Sequence, residues 1–239
     1  MVKEMMRMGF SNSPLVSYTK LSPNHSGLRN HSIDTISIHC MAGNLTVETC
    51  GAVFAPSSRQ ASSNYGVGSD GRIGMYVEEK NRSWCTSSSS NDNRAITIEV
   101  ANCTGGPDWK ISNAALLSLI DLCEDICKRN NIKSLKWCGD KSLIGQVDKQ
   151  NMTVHRWFAA KACPGDYLYK VHSYIAEEVN KRLTPEKKLL TSANDITWEL
   201  NHTYFPITET KKFVDELEQA KQENSSLYWG YYKLVNHIK

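Results

Sequence analysis

The chain has no apolar run near the roughly 20 residues that span a bilayer, which argues against a membrane-inserted helix anywhere in its 239 residues. Its charged start, residues 1–10, is followed by no apolar stretch of signal-peptide length, so the sequence predicts a product made soluble in the cytoplasm. Blocks of like charge are also missing: 28 basic and 25 acidic residues are interspersed, leaving a formal net charge of +3. That balance argues against nucleic acid as a partner and allows only modest attraction to an anionic surface. No internal repeat is visible. No His-x-Glu is followed by Pro-Cys-x-x-Cys, which disfavours a zinc-dependent nucleobase deaminase. Eight cysteines, at positions 40, 50, 85, 103, 123, 127, 138 and 163, lack the spacing of a small secreted disulfide framework. Buried reduced thiols are expected, with Cys163 the exception.

A hydrophobic content of 40% is ordinary for a soluble globular protein, and the length suits one α/β domain plus a small appendage. Residues 11–32, rich in Ser, Asn and Pro, read as a loop-forming segment in which His25 and His31 are solvated. From 33 to 39, Ile36 and Ile38 alternate with Thr35 and Ser37, the pattern of a half-buried strand ending in His39. A helix follows from Thr46 to Ala55, opened by a threonine cap and stopped before Pro56. Residues 62–79 read as two short strands turning at Ser69-Asp70-Gly71. Thr86 to Asp92 is a serine-rich loop, and residues 95–101 alternate again, with Ile96, Ile98 and Val100 on one face and Glu99 on the other. The clearest helix, Ile111 to Asn130, repeats Leu116, Leu119, Ile120, Cys123, Ile126 and Cys127 with the helical period. A strand is expected near Ser134 to Trp137, and a second amphipathic helix from Tyr167 to Leu183.

The chemistry-bearing side chains concentrate in His155 to Gly165, which reads His-Arg-Trp-Phe-Ala-Ala-Lys-Ala-Cys-Pro-Gly. Imidazole and thiolate are the commonest ligands of zinc. Lys161 sets a cation two residues before Cys163, and Pro164-Gly165 must turn the chain. One His and one Cys cannot fill a zinc site. His39, rigidly held at the exit of a core strand, is the candidate third ligand. Three protein ligands with an open fourth position describe a catalytic zinc, whereas four close a structural one. From the residues alone, Cys40 and Cys85 both stay open as a fourth ligand. A thiol hydrolase with Cys163 as nucleophile and His155 as base is the alternative use of the same groups.

Four patterns, in this order and spacing, resemble the zinc-dependent N-acetylmuramoyl-L-alanine amidases, which share a fold with phage amidase-type lysozymes and peptidoglycan recognition proteins. They are the strand ending in His39; the Ser-Ser-Asn-Tyr-Gly-Val-Gly-Ser-Asp-Gly run from Ser62 to Gly71; Asn93 to Val100; and His155 to Gly165. The resemblance covers roughly residues 30–183. It implies an α/β fold with a central mixed sheet flanked by helices, Zn2+ held by His39, His155 and Cys163, catalysis by Glu99 and Lys161, and bacterial peptidoglycan as substrate. The bond cut in the family joins the lactyl group of muramic acid to L-alanine of the stem peptide. In one branch of the family a carboxylate matching Glu99 sits beside the zinc-bound water; the other branch uses a tyrosine at the position of Ser63. This chain therefore resembles the glutamate branch. It departs from the pattern at Cys85, where relatives commonly carry a histidine after the tryptophan matching Trp84. A non-catalytic peptidoglycan-binding protein of the same fold is the alternative, but such proteins typically lose a zinc ligand, and all three are kept here. A wall-degrading domain without a signal sequence suits a phage or prophage endolysin acting on the wall after release; a bacterial autolysin or recycling amidase is also compatible.

Pro185 marks a boundary. The expected division is an N-terminal segment, residues 1–29, a catalytic domain, residues 30–183, and a small helical region, residues 184–239. The last has helical stretches near Asn194 to Asn201 and Thr208 to Asn224, and an aromatic cluster at Tyr228, Trp229, Tyr231 and Tyr232. A module below about 70 residues is short of core. These rings are therefore expected to pack the region onto itself, onto the catalytic domain or onto a second copy, in preference to binding wall sugars.

Overall fold

Two isoleucine-rich segments with polar alternates need cover on both faces, and this requirement sets the architecture. In the computed structural model, which describes residues 10–184, 190–204 and 206–236, the chain divides into two units, Met1–Pro185 and Glu186–Lys239. The strands of the first unit are β1 (Tyr18–Thr19), β2 (His25–Leu28), β3 (Thr35–Cys40), β4 (Tyr65–Val67), β5 (Ile73–Met75), β6 (Asn81–Ser83), β7 (Ala95–Val100) and β8 (Met152–Thr153). Six of them form a mixed sheet in the order β1-β5-β4-β7-β3-β8, parallel except for the β4–β5 hairpin. The other two, β2 and β6, make an antiparallel ribbon. The helices are α1 (Val47–Phe54), α2 (Ser89–Arg94), α3 (Asn113–Arg129) and α4 (Asp166–Leu183). This is the α/β fold with a central mixed sheet flanked by helices that the sequence predicts.

On one face of the sheet, Ile36, Ile38, Ile96 and Ile98 join Leu119, Ile120 and Ile126 of α3 and Ile175 and Val179 of α4 in a single core. The opposite face is covered too, so β3 is buried along its whole length rather than half-buried. There Gly66, in register with Glu99, lies under Tyr76, whose ring a Cβ at this position would approach to 2.7 Å. Tyr76 in turn donates its hydroxyl to the Val47 carbonyl of α1 at 2.8 Å. The polar alternates survive burial because they are bonded. Ser37 donates to the Thr153 carbonyl at 3.3 Å, and the Thr97 and Ser83 hydroxyls meet at 2.8 Å. Helix α1 opens at Thr46, whose hydroxyl accepts from the Thr49 N–H at 3.1 Å, and α3 opens at Ser112, which accepts from Ala115 at 3.0 Å.

Several local expectations are corrected. Residues 134–137 form no strand. Asn180 of α4 accepts from the Leu135 N–H at 2.7 Å and donates to its carbonyl at 2.8 Å, while Asn151 accepts from the Lys136 N–H at 2.7 Å, so side chains satisfy the backbone groups that a neighbouring strand would. Within residues 11–32, expected to be loop, β1 lies beside β5 and β2 beside β6. The serine-rich 86–92 segment turns into α2, capped by Ser88. Cys103 and Cys138 are exposed and join Cys163 as exceptions to the buried thiols. The N-terminal residues 1–9 and the boundary residue Pro185 lie outside the described residues.

The second unit has helices α5 (Ala193–Glu199), α6 (Thr210–Gln222) and α7 (Ser226–Asn236), with a π-helical turn at Leu200–Tyr204. Ile196, Leu200, Leu217, Ala220, Tyr228 and Val235 give it a core of its own. The aromatic cluster lies on α7. Tyr228 is buried in that core and Tyr231 and Tyr232 pack against it, whereas Trp229 is 44% exposed.

Candidate metal centre

His39 and Glu99 stand side by side because β3 and β7 pair in parallel with these two residues in register. His39 is fully buried. Ser37, two residues earlier on the same face, spends its proton on the Thr153 carbonyl and is left to accept from His39 Nε2–H at 3.1 Å. That bond fixes the tautomer and turns the Nδ1 lone pair outward. Nδ1 faces Cys163 Sγ at 3.4 Å.

The other two groups arrive through β8, which pairs with β3. His155 follows it directly in a short helical turn, His155–Trp157. Its ring centroid is 5.2 Å from that of His39, and its Nε2 is 3.2 Å from the Ser87 hydroxyl. The chain then loops back on itself: the Arg156 N–H donates to the Cys163 carbonyl at 3.1 Å, and the Arg156 guanidinium donates to the Ala162 carbonyl at 2.6 Å. One donor atom each from His39, His155 and Cys163 lie within 4.8 Å of one another, a group that can hold a metal ion; His39, Cys85 and Glu99 form a second such set.

Burial, then the neighbouring His155 and His172, hold His39 well below the usual imidazole range. Burial and Lys161 lower His155 as well. Both rings are thus neutral, the form in which imidazole ligates metals. The bond with Cys40, then burial and Glu99, raise the Cys163 thiol, so in the metal-free protein it is the reverse of an activated nucleophile. Its imidazole contact is with His39, whereas the thiol-hydrolase alternative pairs it with His155. Glu99 is pushed up to about 8, chiefly by burial and then by Cys40; the Cys85 thiol and Arg59 act in the opposite direction. Cys85 donates its thiol to Glu99 Oε1 at 3.8 Å, and Oε2 is buried with no partner among the described residues.

A 250 Å³ cavity lined by Cys40, Cys85, Glu99, His155, Lys161 and Cys163 joins these groups. Along its mouth runs a 710 Å³ groove walled by Arg59, Arg82, Trp84, Ser87, His155 and Lys161. Lys161 is exposed and lines both, with no ion pair among the described residues. Ser63, at the position where one branch of the resembled family has a tyrosine, donates its hydroxyl to the Tyr65 and Thr97 carbonyls at 2.8 and 2.9 Å and is tied up in the backbone. His25 and His31 make local bonds, with Gly27 and Ser32, and line neither space. Sequence reasoning passed over Ser37, Ser87 and Asp92. Of these only Ser37 carried a signal, as the residue two before a candidate ligand on one strand face.

A family model described as N-acetylmuramoyl-L-alanine amidase matches residues 29–166, a span that contains His39, Glu99, His155, Lys161 and Cys163. No curated protein matches the chain. Among solved structures, a selenomethionine derivative of AmpD is 16% identical and aligns over 72% of this chain and 96% of its own, with a TM-score of 0.51. The N-acetylmuramoyl-L-alanine amidase LysC from Clostridium intestinale URNW is 16% identical over 72% of this chain and 98% of its own, with a TM-score of 0.49. The Drosophila peptidoglycan recognition protein SA is 15% identical over 66% and 92%, also at 0.49. At such identities the likeness concerns the fold. The family match spans more than half of the chain and brackets every residue of the centre, and on that ground the chain belongs to the N-acetylmuramoyl-L-alanine amidase family.

Proposed function

We propose that this protein hydrolyses the amide between the lactyl group of N-acetylmuramic acid and L-alanine in bacterial peptidoglycan, with His39, His155 and Cys163 holding one Zn2+. The observation that carries the reading is the convergence of those three donors beside a carboxylate with one unpartnered oxygen. The donor set fits zinc. An imidazole nitrogen about 2.0 Å and a sulfur about 2.3 Å from a tetrahedral ion are roughly 3.5 Å apart, and His39 Nδ1 and Cys163 Sγ are separated by 3.4 Å. Two neutral imidazoles and one thiolate leave a fourth position open. Cys85 belongs to the set with Glu99, apart from His155 and Cys163, which favours that open site.

When bound, zinc supplies Lewis acidity, which makes water a nucleophile near neutral pH and polarises the scissile carbonyl. Glu99 takes a proton from the attacking water through its free oxygen and returns it to the leaving amine of L-alanine as the C–N bond breaks. Lys161, at the mouth of the cavity, donates to the oxyanion as its charge develops. Burial pushes Glu99 up to about 8, which makes its ionised form a stronger base towards the water than an ordinary carboxylate and keeps the proton available for return to the amine.

Residues 30–183 form the catalytic domain in this reading, and residues 184–239 a helical module for docking, wall binding or self-association. The chain is made in the cytoplasm and works as a phage or prophage endolysin after release to the wall. Among the described residues no helix is long and apolar enough to cross a membrane. The departure at Cys85 keeps a non-catalytic wall-binding protein as the second reading.

Purified peptidoglycan is expected to be solubilised by the zinc-loaded protein, to resist it after chelation, and to be solubilised again once zinc is restored. Activity that survives chelation but is lost to an alkylating reagent would point to a thiol hydrolase. Binding to the wall without release would point to the recognition-protein reading.

A further inference from the structure

Cys85 has a job at the proposed centre that the sequence left unassigned. Its backbone is clamped: the Cys85 N–H donates to Asp92 Oδ2 at 3.1 Å, and the same carboxylate accepts from the Thr86 hydroxyl at 2.6 Å and the Thr86 N–H at 3.2 Å. Asp92 is itself fixed, since the Arg29 guanidinium donates to its main-chain carbonyl. Arg29 is buried and bonded also to Asn64 and Glu79. From this rigid mount the Cys85 side chain, 9% exposed, reaches one oxygen of Glu99 at 3.8 Å. The other oxygen of Glu99 is buried and bonded to nothing among the described residues, and Glu99 lines the cavity that His155, Lys161 and Cys163 also line.

We propose that Cys85 is a positioning residue for Glu99: its thiol occupies Oε1 and so presents Oε2, unpartnered, to the reacting water and amine. This rests on the amidase reading. A carboxylate with two free oxygens would turn about its last torsion, which is broad and roughly two-fold, and would bring a proton-accepting lone pair to the substrate for only part of the time. A thiol held by the Asp92 clamp removes that freedom. It also accounts for a cysteine here without giving it a place among the zinc ligands, because its partner is the carboxylate.

The test has two arms on the full chain loaded with zinc. In the first, infrared difference spectra between wild type and Cys85→Ala isolate the S–H stretch of Cys85. That band is expected to move to higher frequency in Glu99→Ala, where the acceptor is gone; a band indifferent to Glu99 overturns the proposal. In the second, Cys85→Ala is expected to lower kcat about tenfold, the effect of losing one hydrogen bond to a charged group, with KM and zinc content unchanged. Cys85→Ser, which keeps a donor, is expected to recover most of the rate. In a Glu99→Gln background the same Cys85→Ala change is expected to cost less than about twofold, because a residue that acts through Glu99 has nothing left to act on. An equal loss in both backgrounds would show that Cys85 serves the fold or the substrate directly, and the positioning role would fall. If Cys85→Ala does not fold, Cys85→Ser, which also lacks the S–H group, replaces it as the infrared reference, and that spectrum together with the rate of Cys85→Ser decides. A wild-type protein that releases no stem peptide refutes the amidase reading and any catalytic role for Cys85 with it, while the infrared arm still reports separately on the bond.

Discussion

Replacing Glu99 by Gln is expected to leave the protein folded and one zinc bound while amide hydrolysis falls about 100-fold or more, the usual scale for losing a general base. The amide has the shape of the carboxyl group it replaces but cannot take up the proton of the attacking water. Folding is not at risk, since Glu99 sits in a site where burial already favours its neutral form. Its one side-chain hydrogen-bond partner among the described residues, the Cys85 thiol, can donate to an amide oxygen as it does to a carboxylate. Zinc content measured alongside the initial rate separates the two effects. Near-normal turnover by a fully metallated variant would remove Glu99 from the mechanism.

The second large effect is expected from Cys163→Ser. Loss of an outer partner of a ligand typically costs about 10–100-fold in metal affinity, and loss of the ligand itself is expected to exceed that, with activity falling in parallel. A serine hydroxyl does not give up its proton to zinc as a thiol does, and its shorter bond draws the donor away from His39 Nδ1. The loop should hold, because the contact from the Arg156 N–H goes to the main-chain carbonyl of residue 163. Competition with a chromophoric chelator measures the affinity. A variant that binds zinc as tightly as the wild type and stays active would show that the ligand is another group, with the Cys40 thiol beside Cys163 the first to examine.

The elements that the sequence made legible are those whose own side chains dictate them. The alternation of isoleucines in β3 and β7, the period of α3 with its Ser112 cap, and the Asp70-Gly71 turn each state their geometry locally. Where the structure departs, distant side chains decide. Asn180 and Asn151 take over the backbone of residues 134–137, and the polar alternates of β3 are buried among partners from the 153–163 stretch, Ser37 on the Thr153 carbonyl and His39 against Cys163. At the centre, the residue types of His39, His155, Lys161, Cys163 and Glu99 could be read in order along the chain. Their meeting depends on the pairing of β3 with both β7 and β8, which no local pattern encodes. The outer partners were less visible still. Ser37 fixes a tautomer, and Asp92 mounts Cys85 from within a segment whose serines and asparagines give no helical signal.

Mass spectrometry of the products released from purified peptidoglycan tests the proposed chemistry most directly, run with zinc, with a chelator, and with zinc restored. Stem peptides with a free amino group on L-alanine, lost on chelation and regained with zinc, are the expected products. Fragments cut within the glycan or within the peptide, or no fragments from walls of several compositions, would contradict it.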